Sequence, residues 1–201
     1  MLPLPELARV LKIIPLIGTH GPWSRAIGYQ YLLSPPPGHT GGPQPLWGGA
    51  STIGGARFTP VGSFDSLYLA NDPVTAFLEV SALVLLPGGP VPTRTAPWVV
   101  ISVEGIILSV LDLTDPATVT TLNTSQQEIT GPWVTSPRPP TQILGQAAFD
   151  SGRVTGIKYT SAKHSGGINL VVFSDRLRIA AGSFLEVYDP HGNLTQRLSG
   201  P

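Results

Sequence analysis

An α+β fold is what this sequence predicts. Some segments carry helical spacing or a strong helix start, others are runs of β-branched apolar residues, and the two kinds do not alternate in regular units. No internal repeat and no clean break marks a second domain, so residues 1–201 read as one domain, long enough for one sizeable core.

The elements follow in order. Residues 4–14 place Leu4, Leu7, Ala8, Leu11 and Ile14 on one side of a short amphipathic helix. Residues 23–33 alternate loosely and predict a strand holding Arg25. Residues 34–55 are dominated by Pro and Gly, with His39 and Trp47 embedded, and predict a long loop of the kind that is usually functional or mobile. A short strand is predicted at 66–70. Asp72 then suits an N-cap and Pro73 the first helical position, which starts a helix running to about residue 83. Residues 98–103 and 106–113, separated by Glu104-Gly105, predict a hairpin. Asp112-Leu113-Thr114-Asp115-Pro116 ends it and caps a short helix over 117–122. Residues 141–149 predict a second amphipathic helix. Residues 156–159 and 169–173 predict strands flanking a turn at 161–167, and 178–188 predict one or two edge strands before a turn at Pro190-His191-Gly192.

Composition excludes several function classes. Hydrophobic residues make up 41% and charged residues only 12%, which argues against disorder through self-repulsion. The 23 glycines and 22 prolines lie mostly between apolar runs, so they mark rigid turns and not a low-complexity tail. A net charge of zero favours neither nucleic acid nor a membrane surface. The absence of cysteine removes disulfides, thiolate catalysis and cysteine metal sites. Glu6, Arg9, Lys12 and several prolines interrupt the apolar N-terminus, which does not read as a signal peptide. The longest apolar stretch, 80–87, is too short to span a bilayer. A soluble, cytoplasmic protein is expected.

A few residues suit chemistry. Glu79 is the only charged side chain between Asp72 and Arg94, in Ala76-Phe77-Leu78-Glu79-Val80-Ser81-Ala82-Leu83. A carboxylate in so apolar a helix is either paired, working, or turned to a solvated edge. Arg57 follows Gly54-Gly55-Ala56, where glycines permit close approach and the guanidinium fork matches phosphate or carboxylate oxygens. Taken alone it is a surface arginine after a flexible loop. Arg25 is a second anion contact or a surface ion-pair partner. Tyr68 suits stacking on a flat ring, although a core tyrosine is the commoner outcome. Ser161 opens a turn closed by Gly166-Gly167, where a hydroxyl or amide suits a phosphate or sugar.

Other constellations fail. The four histidines, His20, His39, His164 and His191, show no metal-ligand spacing, so no metal is expected. No Gly-x-Ser-x-Gly elbow, dinucleotide fingerprint or P-loop occurs. A glycosidase pair of Glu79 and Asp72 is weakened because Asp72 is better explained as a helix cap.

Taken together, the residues resemble the RES domain family, the toxin half of many bacterial toxin–antitoxin pairs. Trp23-Ser24-Arg25-Ala26 is similar to the family's early arginine block. Gly54-Gly55-Ala56-Arg57-Phe58-Thr59-Pro60-Val61-Gly62 is similar to its Gly-Gly-Arg-Phe-Asn-Pro-x-Gly block, with Ala56 and Thr59 as departures. Leu67-Tyr68-Leu69-Ala70-Asn71-Asp72-Pro73 leads into Ala76-Phe77-Leu78-Glu79. The last block runs from Thr141-Gln142 through Thr160-Ser161-Ala162 to Gly167-Ile168-Asn169-Leu170-Val171-Val172-Phe173. The likeness covers roughly residues 21–175.

The resemblance implies an ADP-ribosyltransferase-like fold, with a split antiparallel sheet and flanking helices. It implies cleavage of the nicotinamide–ribose bond of NAD, by phosphorolysis or hydrolysis, with NAD as substrate, inorganic phosphate as co-substrate and no bound cofactor. Arg57 and Arg25 would hold pyrophosphate or phosphate, and Tyr68 would pack on nicotinamide or its ribose. Glu79 would steady the oxocarbenium ion, with Ser161 and Asn169 as further substrate contacts. The usual partner in such pairs is a helix-turn-helix (Xre-type) antitoxin, and a homodimer is a further expectation. The competing expectations are an ADP-ribosyltransferase acting on a macromolecule and a non-catalytic binding module of the same fold.

Overall fold

The computed structural model describes residues 1–33, 38, 40, 42–93, 97–134 and 136–201. The sequence reading of 34–55 therefore falls partly outside the described residues, His39 included. In chain order the elements are α1 Leu4–Leu11, β1 Ile17–His20, β2 Trp23–Gly28, α2 Gln30–Leu33, α3 Ala50–Gly54, β3 Ser66–Ala70, α4 Pro73–Glu79, β4 Leu83–Leu86, β5 Gly89–Pro92 and β6 Trp98–Asp112. They continue with α5 Pro116–Thr121, α6 Gln126–Thr130, α7 Pro140–Asp150, β7 Gly156–Thr160, β8 Ile168–Phe173, α8 Ser174–Leu177, β9 Phe184–Val187 and β10 Arg197–Ser199. The architecture is α+β, as expected.

One sheet dominates, in the order β10-β9-β6-β2-β3-β8-β7, with β1 against β6 and a parallel contact between β6 and β7. It is split in the middle. β2 matches β6 over six residue pairs, from Trp23↔Val103 to Gly28↔Trp98, but meets β3 only at Ser24↔Ala70. β3 in turn is zipped to β8 over its whole length. Two well-paired blades thus diverge from a single bridge.

Both faces of the sheet are covered, which is why β8 reads as a continuous apolar run. Leu170 and Val172 point to one core with Leu67, Leu69, Ile101 and Val103, while Val171 and Phe173 point to the other with Phe58, Leu144 and Ile157. β6 serves both cores by changing phase. Its register against β1 shifts between Ile17↔Val110 and Thr19↔Ile107, and the extra residue puts Val110 in one core and Leu111 in the other.

Three expectations are corrected. Glu104-Gly105 is not a turn: β6 runs through it unbroken. Gly105 is there because a Cβ would stand 2.2 Å from the Phe184 carbonyl oxygen of β9. The helix after Asp72 ends at Glu79, since Ser81 takes φ 59 and β4 pairs back with β5. The segment 23–33 is a strand only to Gly28. Asp72 does cap α4, accepting from the Thr75 N–H at 2.9 Å.

Candidate active site

A cavity of about 610 Å³ opens where β2 and β3 part, within the size range of small-molecule sites. β2 contributes Arg25, β3 contributes Tyr68, α4 contributes Glu79, β8 contributes Asn169, and the turn after Gly55 contributes Arg57. Five of the six residues singled out in the sequence therefore share one wall. Ser161 is not on that wall but stands behind Glu79.

Glu79 is the last residue of α4, on the same helix face as Thr75 four positions earlier. Its Oε1 accepts from Ser161 Oγ at 2.6 Å and from Asn169 Nδ2 at 2.7 Å. Among the described residues its Oε2 receives no hydrogen bond. The serine's role follows from proton bookkeeping. Ser161 Oγ accepts the Lys163 N–H at 3.1 Å and the His164 N–H at 3.0 Å, so its own proton goes to the carboxylate. Lys163 Nζ binds the Glu79 carbonyl and Ser81 Oγ, both at 2.8 Å, fastening the helix end from outside.

Arg57 is held by backbone. Its Nη1 donates to the carbonyls of Ile129 at 2.7 Å and Gly131 at 2.8 Å, at the end of α6. Gln142 of α7 donates to the Ala56 carbonyl at 2.9 Å and so fixes the same turn. Tyr68 Oη accepts the Phe58 N–H at 3.0 Å and pairs with Thr59 Oγ1, which itself donates to Ser66 Oγ at 2.9 Å. The tyrosine hydroxyl is therefore used within the protein, and its ring is what faces the cavity. Burial pushes that hydroxyl up to about 12, against the opposing hydrogen bonds from Thr59 and Phe58 and the charge of Arg57.

Arg25 is the least satisfied of the group. Nη2 donates to the Trp47 carbonyl at 2.7 Å, while Nε and Nη1 are buried and have no hydrogen-bond partner among the described residues. Burial lowers its pKa to about 10, which leaves it charged at neutral pH. On the wall Arg25 and Arg57 stand with one carboxylate, Glu79, while the Lys163 ammonium is bound to the backbone end of α4. The cavity thus suits an anionic ligand that also presents a centre of positive charge to Glu79.

Sequence reasoning missed three lining residues. Tyr159 of β7 packs edge-on against Phe58, with centroids 4.8 Å apart, and burial raises its hydroxyl well above the ordinary value. Trp133 lies at the cavity in a segment with no periodicity, and its only signal was an aromatic between Pro132 and Pro137. Lys163 was visible only as a neighbour of Ser161. Among the described residues no cluster of His, Asp and Glu could hold a metal ion, and no helix is long and apolar enough to cross a membrane.

Comparisons with known proteins bear on the family and the fold. A family model described as RES domain matches residues 32–195. The chain is also similar in structure to a protein solved as a toxin–antitoxin complex of M. tuberculosis, MbcT-MbcA. The TM-score is 0.67 at 20% identity, covering 96% of this chain and 92% of that one. No curated protein matches the chain.

Proposed function

The chain belongs to the RES domain family, and on that premise we propose that it is a cytoplasmic toxin-like enzyme that degrades NAD. The bond broken is the one between nicotinamide and ribose. Phosphate attacks the ribose C1 and releases ADP-ribose-1″-phosphate; with water as the nucleophile, the product is ADP-ribose and a proton.

The observation that carries this reading is the state of Glu79, with one oxygen engaged by Ser161 and Asn169 and the other without a hydrogen-bond partner among the described residues. Nicotinamide leaves as a neutral molecule, so the reaction needs little acid catalysis. It needs a fixed negative charge beside the carbon that becomes cationic. A charge about 4 Å away at an effective dielectric near 20 contributes on the order of 4 kcal/mol. Arg25 and Arg57 suit the pyrophosphate and the incoming phosphate, and the faces of Tyr68 and Trp133 suit flat rings. The likeness to a toxin solved with its antitoxin supports a protein partner of that kind, which we infer to be a helix-turn-helix antitoxin.

The test is nicotinamide release from NAD, with the second product identified by mass. Glu79→Gln keeps an oxygen able to accept from Ser161 and Asn169 and loses only the charge. Turnover is expected to fall about 100- to 1,000-fold with the melting temperature unchanged. Wild-type protein that releases no nicotinamide overturns the reading, and ADP-ribose attached to a macromolecule replaces it with a transferase.

A further inference from the structure

Three residues outside the cavity wall are joined to it by an unbroken chain of hydrogen bonds. Thr75 is fully buried on α4, one helical turn before Glu79. Its Oγ1 donates to Asp72 Oδ2 and lies 2.6 Å from His164 Nδ1. His164 belongs to the 161–167 turn, and its backbone N–H is one of the two that set the Ser161 hydroxyl. The turn closes on itself through Ser161 N–H to the Gly167 carbonyl at 2.8 Å and Gly167 N–H to the His164 carbonyl at 3.0 Å. Gly167 leaves room for the contact: a Cβ there would stand 2.8 Å from Thr75 Oγ1 and 3.0 Å from His164 Cβ.

Proton accounting fixes the direction of each bond. Thr75 has one hydroxyl proton and two neighbours at hydrogen-bond distance. Asp72 is a carboxylate: burial raises its pKa, but the Thr75 side-chain and backbone bonds and the His164 charge outweigh this and hold it below the usual value. A carboxylate only accepts, so the Thr75 proton goes to Asp72. His164 Nδ1 must then be the donor to Thr75 Oγ1, whether the ring is neutral or protonated. The charged groups of α4, its cap and the turn are Glu79, one helical turn beyond Thr75, Asp72, at 3.9 Å from Nδ1, and Lys163, whose ammonium is turned away to Glu79 O and Ser81.

We propose that Asp72, Thr75 and His164 are positioning residues that lock the 161–167 turn along α4, and thereby hold Ser161 and the Glu79 carboxylate in place. The turn is fastened to α4 at both ends of one helical turn, at Thr75 through His164 and at Glu79 through Ser161 and Lys163. Losing the first fastening loosens one end of the turn, so that the backbone donors to Ser161 Oγ, and with them the carboxylate, are held less firmly in place. A misplacement of about 1 Å costs roughly 100-fold in the chemical step.

The functional consequence rests on the NAD-cleaving reading; the geometry does not, and the test separates them. Nitrogen-15 NMR of the full chain, with His164 assigned by His164→Gln, reads the ring directly. A protonated Nδ1 at pH 8 is expected, and an unprotonated Nδ1 overturns the relay even if NAD is never turned over. For the kinetic half, Thr75→Val should lower kcat about 10- to 100-fold with KM changed less than threefold, and Thr75→Ser should restore it. Equal kcat in wild type and Thr75→Val overturns the proposal. If Thr75→Val fails to fold, His164→Ala and His164→Asn take its place, with a loss expected only in the first; equal kcat in both overturns it.

Discussion

Helix α7 lies so close to the turn bearing Arg57 that a methyl group at position 145 has no room. A Cβ on Gly145 would stand 1.8 Å from the Phe58 carbonyl oxygen, 2.7 Å from the carbonyl carbon and 3.0 Å from Cα. These are backbone atoms, so no side-chain rotation relieves the overlap. An ordinary carbon–oxygen contact is about 3.3 Å, so helix and turn must part by roughly 1.5 Å. Two effects of opposite sign compete in Gly145→Ala. Alanine is the better helix former by about 1 kcal/mol. Overpacking a filled core costs about 1–3 kcal/mol, and a clash on backbone beside the fully buried Leu144, Ala148 and Phe58 belongs at the upper end. The expected net loss is about 2 kcal/mol, which in a chain of this size lowers the melting temperature by about 4–8 °C. Thermal and urea unfolding read this directly. Turnover of NAD should fall further than stability does, because the displaced turn carries Arg57. A variant that melts at or above the wild-type temperature refutes the packing argument, since helix propensity alone would then have decided the sign.

Arg25→Met removes a buried charge, two of whose nitrogens have no partner among the described residues, with the loss of one bond to Trp47. It should stabilise the fold by about 1–2 kcal/mol and abolish NAD turnover, and a destabilised or active variant contradicts this. Alkaline unfolding tests the burial of Tyr68 by titration. The Tyr68 hydroxyl is raised to about 12 from an unfolded value of 10, so its contribution is complete below pH 10 and is lost as pH rises from 10 to 12. The urea midpoint should therefore fall as pH rises from 10 to 12, and a midpoint that stays flat across that window contradicts the burial of this hydroxyl.

What the sequence made legible was local. Asp72-Pro73 announced α4 because an N-cap and a first-turn proline act within one turn of helix, and the cap bond to Thr75 is present. Residues 66–70 read as a strand and are one, with Leu67 and Leu69 of one face in the core and Tyr68 of the other at the cavity. Glu79 stood out as one charge in an apolar run. The rest depends on chain far away. Gly105 was read as a turn when its function is to admit β9, some eighty residues on. Nothing near Arg57 indicates that carbonyls at 129 and 131 hold its guanidinium. Ser161 reads as a ligand contact until its two backbone donors are seen to aim its proton at Glu79. The apolar pattern past Glu79 extended the expected helix to about residue 83, and only the positive φ of Ser81 and the pairing of β4 with β5 end it at Glu79.

The split in the sheet has a physical cause, and the site depends on it. Two adjacent antiparallel strands with free edges would normally pair along their length, because unpaired backbone groups are costly to bury. Zipping β2 to β3 would bring the strands about 5 Å apart and eliminate the cavity. Residues 47–51 prevent it by supplying substitute partners. Ser51 Oγ accepts the Ser66 N–H at 3.0 Å and donates to the Gly48 carbonyl at 2.8 Å, at the start of β3. On the opposite blade the Trp47 carbonyl takes Nη2 of Arg25. Only a glycine fits at 48, where a Cβ would lie 2.9 Å from the Ser66 nitrogen and 2.8 Å from Ser174 Oγ. The glycine-rich stretch before Arg57 therefore contributes a wedge as well as a loop. That wedge satisfies the strand it displaces, but gives Arg25 a single acceptor, and among the described residues Nε and Nη1 have no partner beside the cavity that the proposed phosphate would enter.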